Sequence, residues 1–399
     1  MDLDNTTLKH FVIVGFTLNS NLQAVFLLIF LFMYTLTVVG NLVIIVIIHT
    51  NDRLTHVPMY FFLTHLSFVE LCYTTTISPN FLDLIVKRQK SITFTECLIQ
   101  LYLFLSLASV ENFLLATMAY DRYLAICKPL QYHILMNSIL CRNFAIFCWL
   151  GGCLIPVVPI ILVSQIKYCR PYIINHFFCD VSPLFALSCT NISHIKMFEY
   201  VCAASVLLSS CLVILMSYVL IVSAILMIQT SHGRRKAFST CASHLIVVIL
   251  FFGPGILIYV SPLSHQSVAL NKWMSLLYTQ VTPLLNPFVY SLRNEEVKLA
   301  LKGVVRQELR KQDSCTSIHW DYKSHQPECA HAQNAQQNSD LLLVLWACIV
   351  EEAEAGTVHT RKDAVWRIAL CAAHVRAYRR MKTASGRGLL FAGLFTTHA

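Results

Sequence analysis

Apolar residues in this chain gather into seven long runs separated by short polar breaks. The runs cover roughly residues 23–49, 58–86, 96–121, 141–163, 197–228, 237–261 and 272–292. Each is too long for a soluble strand and too evenly apolar for the two-faced helix of a soluble domain. Residues 22 to 48 contain no Asp, Glu, Lys or Arg, and about 20 such residues suffice to cross a bilayer as a helix. In hydrocarbon only helices and closed barrels satisfy their own backbone, and the ten-residue alternation of a barrel strand is absent. The pattern predicts an all-α membrane protein, a bundle of seven transmembrane helices. The first run is too long for a signal-peptide core and lacks a small-residue cleavage site, so it is expected to remain as the first span.

Composition agrees. Of 399 residues, 56% are hydrophobic and 13% charged, where a soluble domain carries about 25% charged residues. The net charge of +9 comes from short Lys/Arg clusters between the runs rather than one continuous basic face. That arrangement indicates membrane topology and lipid, not nucleic acid. With the N-terminus outside, the inner segments carry Arg53, Arg122, Lys128, Arg142, Arg234, Arg235, Lys236 and the basic residues from Arg293 to Lys311. The outer segments hold Lys9, Lys87, Arg88, Lys90, Lys167, Arg170, Lys196 and Lys272. The excess lies inside, as the positive-inside rule asks. The glycosylation acceptor at Asn5 fits an outer N-terminus, and Asn191 opens a second such triplet. The expected divisions are an extracellular N-terminus over 1–22, a helical domain over 23–311 and a cytoplasmic tail over 312–399.

Cysteines inside the runs, such as Cys148, Cys153, Cys202 and Cys211, read as small buried apolar residues. Cys97, Cys169, Cys179 and Cys189 share the outer side, where four thiols imply two disulfides with three connectivities, or else a metal site or free thiols. The Cys241/His244 pair lacks a second half-site, so it is read as packing or hydrogen bonding and no metal is expected. Past residue 312 the chain turns to mixed charge and Gln, Ala and His, with no span-length apolar run. This tail is expected to be disordered or to stand outside the working protein.

Seven motifs in order give a family resemblance over residues 1 to about 310. They are Gly40-Asn41, PMYFFLTHLSFVE at 58–70, MAYDRYLAICKPLQY at 118–132, HFFCD at 176–180, Ser217-Tyr218, KAFSTCASHL at 236–245 and PLLNPFVYSLRN at 283–294. Together they resemble the odorant receptors, a branch of the rhodopsin-like G-protein-coupled receptors. The resemblance implies a small volatile odorant as ligand, a stimulatory olfactory G protein as partner, and cyclic AMP as output. It also implies a plasma-membrane location, a short amphipathic helix over 294–310 and a place for trafficking chaperones. No catalytic residue is expected.

The residues then take roles by resemblance. Asp121, Arg122 and Tyr123, with Tyr218, Lys236, Asn286, Pro287 and Tyr290, resemble the switch that meets the G protein. Asn41, Glu70 and Glu111 resemble an inner polar site that holds a sodium ion or a proton; no other cofactor is implied. Read alone, the two acids are functional candidates because charge is costly in lipid, or neutral carboxyls that only fix packing. The resemblance pairs Cys97 with Cys179 and Cys169 with Cys189. Phe104, Leu105, Ala108 and Ser109 recur at helical spacing on one face of span three. With Cys202, Val206, Tyr259 and Thr279 they are the expected odorant contacts, apolar with a few hydroxyls.

Other classes fit less well. A transporter would show paired broken helices in two related halves. A membrane hydrolase would show a Gly-x-Ser-x-Gly or His-Glu-x-x-His run, and neither is present. Family members generally stop soon after the amphipathic helix, so the extra tail admits a non-signalling or read-through product as the alternative.

Overall fold

The computed structural model describes residues 10–16, 19–227, 230–259, 268–293, 296–301 and 303, and helices occupy all seven apolar runs. Span one is Ser20–Thr50, span two Pro58–Lys87, span three Phe94–Cys127 and span five Ser193–Leu226. Span six is Ser231–Tyr259. Span four is interrupted beside Pro156, giving Ser138–Leu154 and Val157–Ser164. Span seven runs as Val268–Leu276, a π-helical segment Leu277–Val281, and Thr282–Arg293. The chain divides into units Met1–Val297 and Lys298–Ala399, and the first holds all seven spans. Residues 296–301 and 303 of the expected 294–310 helix are helical. Asn5, the rest of that helix and the 312–399 tail lie outside the described residues.

Local signals start and stop these helices. Pro58 opens span two, where a missing N–H costs nothing. Thr93 and Glu96 close a capping box on span three: Glu96 N–H donates to Thr93 Oγ1 at 3.2 Å, and Thr93 N–H to Glu96 Oε2 at 2.9 Å. Asn137 caps span four by accepting from Leu140 N–H at 2.8 Å. Arg88, with φ of 65°, ends span two in the left-handed region.

Around the bundle span one packs on two, two on three, three on five, five on six, six on seven and seven on one, while span four lies against span three. Gly152 permits that last contact: a Cβ there would come within 2.7 Å of the Val110 backbone nitrogen. Spans one, three, four and five are each long and apolar enough to cross a membrane. Their outer faces expose Leu28, Phe32, Leu150 and Leu212, the surface that lipid would cover. Span two is less apolar because it turns Ser67, Glu70, Thr74 and Ser78, all buried, toward the interior.

Prolines within spans six and seven each remove one rung of the helical ladder. Pro254 cannot donate to the Leu250 carbonyl, which instead accepts from Thr282 Oγ1 at 3.3 Å. Pro287 likewise frees the Pro283 carbonyl, which accepts from Asn41 Nδ2 at 3.4 Å. Both freed acceptors are answered from a neighbouring span.

The apolar pattern did not announce a three-stranded sheet at the disulfide end. Strand β1, His10–Val14, pairs antiparallel with β2, Gln89–Thr93, and parallel with β3, Ile173–Ile174. Phe11 on β1 is fully buried, edge-on to Tyr168 at 5.4 Å and near Phe94. Lys272 Nζ fastens the segment after β1 by donating to the Gly15 carbonyl at 2.8 Å and Asn175 Oδ1 at 2.7 Å.

Removing a buried aromatic ring costs about 3 kcal/mol or more. Phe11→Ala is therefore expected to lower the thermal unfolding midpoint of the purified protein by several degrees. An unchanged midpoint would mean that β1 does not belong to the folded core.

Candidate functional site

Beneath the sheet, a cavity of about 90 Å³ opens between spans three to seven. Span three supplies Phe104, Leu105, Ala108, Ser109 and Asn112, and span five supplies Glu199, Cys202 and Val206. Span six contributes Phe251 and Tyr259, and span seven Tyr278. Seven of the eight expected contacts are thus on the wall. Thr279 is not: it is fully buried and donates to its own helix at the Ser275 carbonyl, 2.7 Å away. The π-helical segment 277–281 holds an extra residue per turn. Side-chain directions there depart from 3.6 spacing, and the neighbouring Tyr278 faces the cavity instead.

The segment 176–180 packs against two of the wall residues, Phe104 and Tyr259. Cys179 is bonded to Cys97 at the head of span three, and Cys169 to Cys189 within the long loop, both as expected. Gln100 reinforces the first link by accepting from Cys179 N–H at 3.0 Å and donating to the Thr76 carbonyl at 3.1 Å. So held, Phe178 lies tilted against Phe104, with ring centroids 4.8 Å apart. Next to it, Asp180 is fully buried and takes a hydrogen bond from Val181 N–H at 2.8 Å and another from Tyr259 at 3.2 Å. Tyr259 is in turn 2.9 Å from the Tyr278 hydroxyl. Burial pushes the Asp180 carboxyl up to about 6. Burial, with the charge of Lys272, pushes the His176 imidazole down to about 3 and keeps it neutral.

Sequence reasoning missed Asp180, Glu199 and Asn112. Glu199 had a signal, being the lone acid in the run 197–228, and an ionisable residue in such a run is a functional candidate by default. Asp180 enters the sequence only as the end of the HFFCD motif, and the tertiary fold brings it to Tyr259.

A polar interior lies between the cavity and the other end. Asn286 Nδ2 donates to the Glu70 carboxylate, while Asn41 Nδ2 donates to the Thr37 carbonyl at 3.1 Å as well as to Pro283. Glu70, Glu111, Asn41 and Asn286 are all buried, and both Glu111 oxygens lack a hydrogen-bond partner among the described residues. These facing acceptors suit a proton or a small cation chemically.

At the far end Asp121 is buried and accepts from the Tyr132 hydroxyl at 2.8 Å. The adjacent Arg122 is buried too and has no ion pair among the described residues. Tyr123 lies under the Lys128 ammonium, 6.0 Å from ring centre to nitrogen. Tyr218 ties span five to span six through the Cys241 carbonyl at 3.2 Å and His244 Nδ1 at 2.9 Å. The Cys241/His244 pair thus takes part in hydrogen bonding. Pro287 is buried in span seven; the side chains of Lys236 and Tyr290 lie outside the described residues.

Comparison with known proteins gives the family. The olfactory receptor family model matches residues 30–308. The chain belongs to the olfactory receptor family. It is 46% identical over 302 residues to olfactory receptor 6F1 of Homo sapiens, covering 75% of this chain and 98% of that protein. Olfactory receptor 6Y1 of Homo sapiens is 44% identical over 306 residues, covering 76% and 94%. Olfactory receptor 5G26 of Mus musculus is 46% identical over 301 residues, covering 75% and 94%. An olfactory receptor is a multi-pass membrane protein of the rhodopsin-like class, a signalling receptor and not an enzyme.

The raised Asp180 pKa has a consequence for stability. Relative to an ordinary aspartate at 3.8, the folded receptor holds its proton up to about pH 6. The stabilising contribution is complete below pH 3.8 and is lost as the pH rises through 6. Asp180→Asn removes this dependence. Between pH 4 and 7 the unmodified receptor should lose about 2 to 3 kcal/mol relative to that variant, read as diverging unfolding midpoints. Parallel curves would show that Asp180 is not buried as described.

Proposed function

We propose that an odorant settles in the cavity between spans three to seven and shifts the receptor toward an arrangement whose Arg122 end binds a stimulatory olfactory G protein, raising cyclic AMP. In this reading the N-terminus, the sheet and Asn5 face outside, Arg122 and the tail face the cytoplasm, and the receptor resides in the plasma membrane. The observation that carries it is the apolar cavity bounded by Tyr259, Tyr278 and Phe104, on the same helices whose other ends hold Arg122 and His244. A ligand can drive such a change only by the difference in its affinity for the two arrangements. The free space of about 90 Å³ is below the ~150 Å³ cavity that admits benzene. Even a small guest must displace wall side chains, which supplies that difference. Glu70, Glu111, Asn41 and Asn286 set the balance between arrangements, by exchange of a proton or a sodium ion.

The family match ends at residue 308, and residues past 312 add nothing to this reading. A chain cut after Lys311 is expected to keep its odorant response; a response that rises sharply on cutting would favour the alternative of a tail that obstructs coupling.

Arg122→Ala should reduce odorant-driven cyclic AMP at least tenfold, while the odorant still raises the unfolding midpoint of the purified variant. Loss of both effects would contradict the separation of binding end from coupling end. Glu111→Gln is expected to change basal and maximal cyclic AMP but leave the rank order of odorants intact. A reordered preference would place Glu111 in ligand recognition instead.

A further inference from the structure

The polar groups on the cavity wall are unequally supplied with donors and acceptors. Ser109 Oγ donates its proton to the Leu105 carbonyl at 2.8 Å. Asn112 Nδ2 donates to the Ala108 carbonyl at 2.8 Å, which fixes the amide and leaves Oδ1 buried with no partner. Asp180, ionised at neutral pH, can only accept, so Tyr259 donates to it and Tyr278 donates to Tyr259. Glu199 Oε2 is buried and unpartnered as well, and so is Asp180 Oδ2 behind Tyr259. The donors left over are weak or neutral: the Cys202 thiol and the second Asn112 N–H.

Charge points the same way. Glu199 is the one acidic side chain lining the cavity among the described residues, and no Lys, Arg or His joins it. Each unmet buried acceptor costs about 1–3 kcal/mol. A ligand that donates recovers that loss, whereas a ketone, ester or ether brings one more acceptor to a wall already short of donors.

We infer that the cavity selects small volatile amines, with an alkylammonium group donating to Glu199 and the alkyl chain lying against Phe104, Val206 and Phe251. Asn112 is a second acceptor nearer the Arg122 end. Alcohols, which also donate but carry no charge, rank below amines, and compounds that only accept rank last. This assignment rests on the proposal that the cavity is the odorant site, and it names the ligand class for that site.

The test uses the purified full-length receptor at neutral pH with three four-carbon probes: butylamine, 1-butanol and 2-butanone. The expected order of thermal stabilisation is butylamine, then 1-butanol, then 2-butanone. Glu199→Gln offers an amide donor in place of the carboxylate. It should weaken butylamine about tenfold, the loss of one charge-assisted hydrogen bond, and improve 2-butanone. Three results would overturn the inference: 2-butanone equal to butylamine, butylamine unaffected by Glu199→Gln, or no stabilisation by any probe. The ranking on the unmodified receptor decides even where the variant folds poorly. Butylamine stabilisation without a cyclic AMP response would leave the ligand class standing and remove the signalling reading.

Discussion

Hydrocarbon offers a backbone carbonyl nothing to bond with, and an unanswered one costs several kcal/mol. This constraint makes helices of all seven runs, and its effect is clearest where a helix cannot satisfy itself. Pro254 and Pro287 each free a carbonyl, and Thr282 and Asn41 reach across from neighbouring spans to take them. The broken rungs thereby become ties between spans six and seven and between spans seven and one. The same constraint turns Glu70, Thr74 and Ser78 inward and leaves Leu28, Leu150 and Leu212 outside. Polar side chains form an internal seam running from the Tyr259 cluster to the Arg122 end.

That seam gives the proposed signal a physical route. Tyr259 borders the cavity and His244 holds Tyr218, and both stand on span six. They are fifteen residues apart, about 22 Å at 1.5 Å per residue. A ligand that pushes the upper part of this rod acts, through one covalent element, on the hydrogen bond joining spans five and six at the other end. Pro254 lies between the two points, where one missing backbone bond lets the rod bend. Next to Tyr259 and Phe104, the segment carrying Phe178 is tied to span three by the Cys97–Cys179 bridge and by Gln100.

The spans could be read to within a few residues because about 20 apolar residues in a row have few other uses. The wall residues of span three could be read because helical spacing places Phe104, Leu105, Ala108 and Ser109 on one face. Thr279 lies off the cavity wall where regular spacing lapses, at the π-helical segment that brings Tyr278 forward. The sheet was illegible because β1, β2 and β3 are short and lie some 80 residues apart, so their pairing leaves no local pattern. Asp180 stayed hidden for the same reason, since its partner Tyr259 is 79 residues away. The disulfide pairing came from resemblance alone; the four cysteines by themselves allowed three connectivities.

The central claim is that the odorant end and the coupling end lie on opposite sides of one bilayer. Leu130, between spans three and four, is 95% exposed and lies at the proposed coupling end. The most direct measurement combines Leu130→Cys with an N-terminal epitope and compares antibody and membrane-impermeant maleimide labelling in intact and permeabilised cells. The account predicts that the epitope is reached in intact cells, while the introduced thiol labels above the unmodified background only after permeabilisation. Labelling of both in intact cells would put the two ends on one side and contradict it.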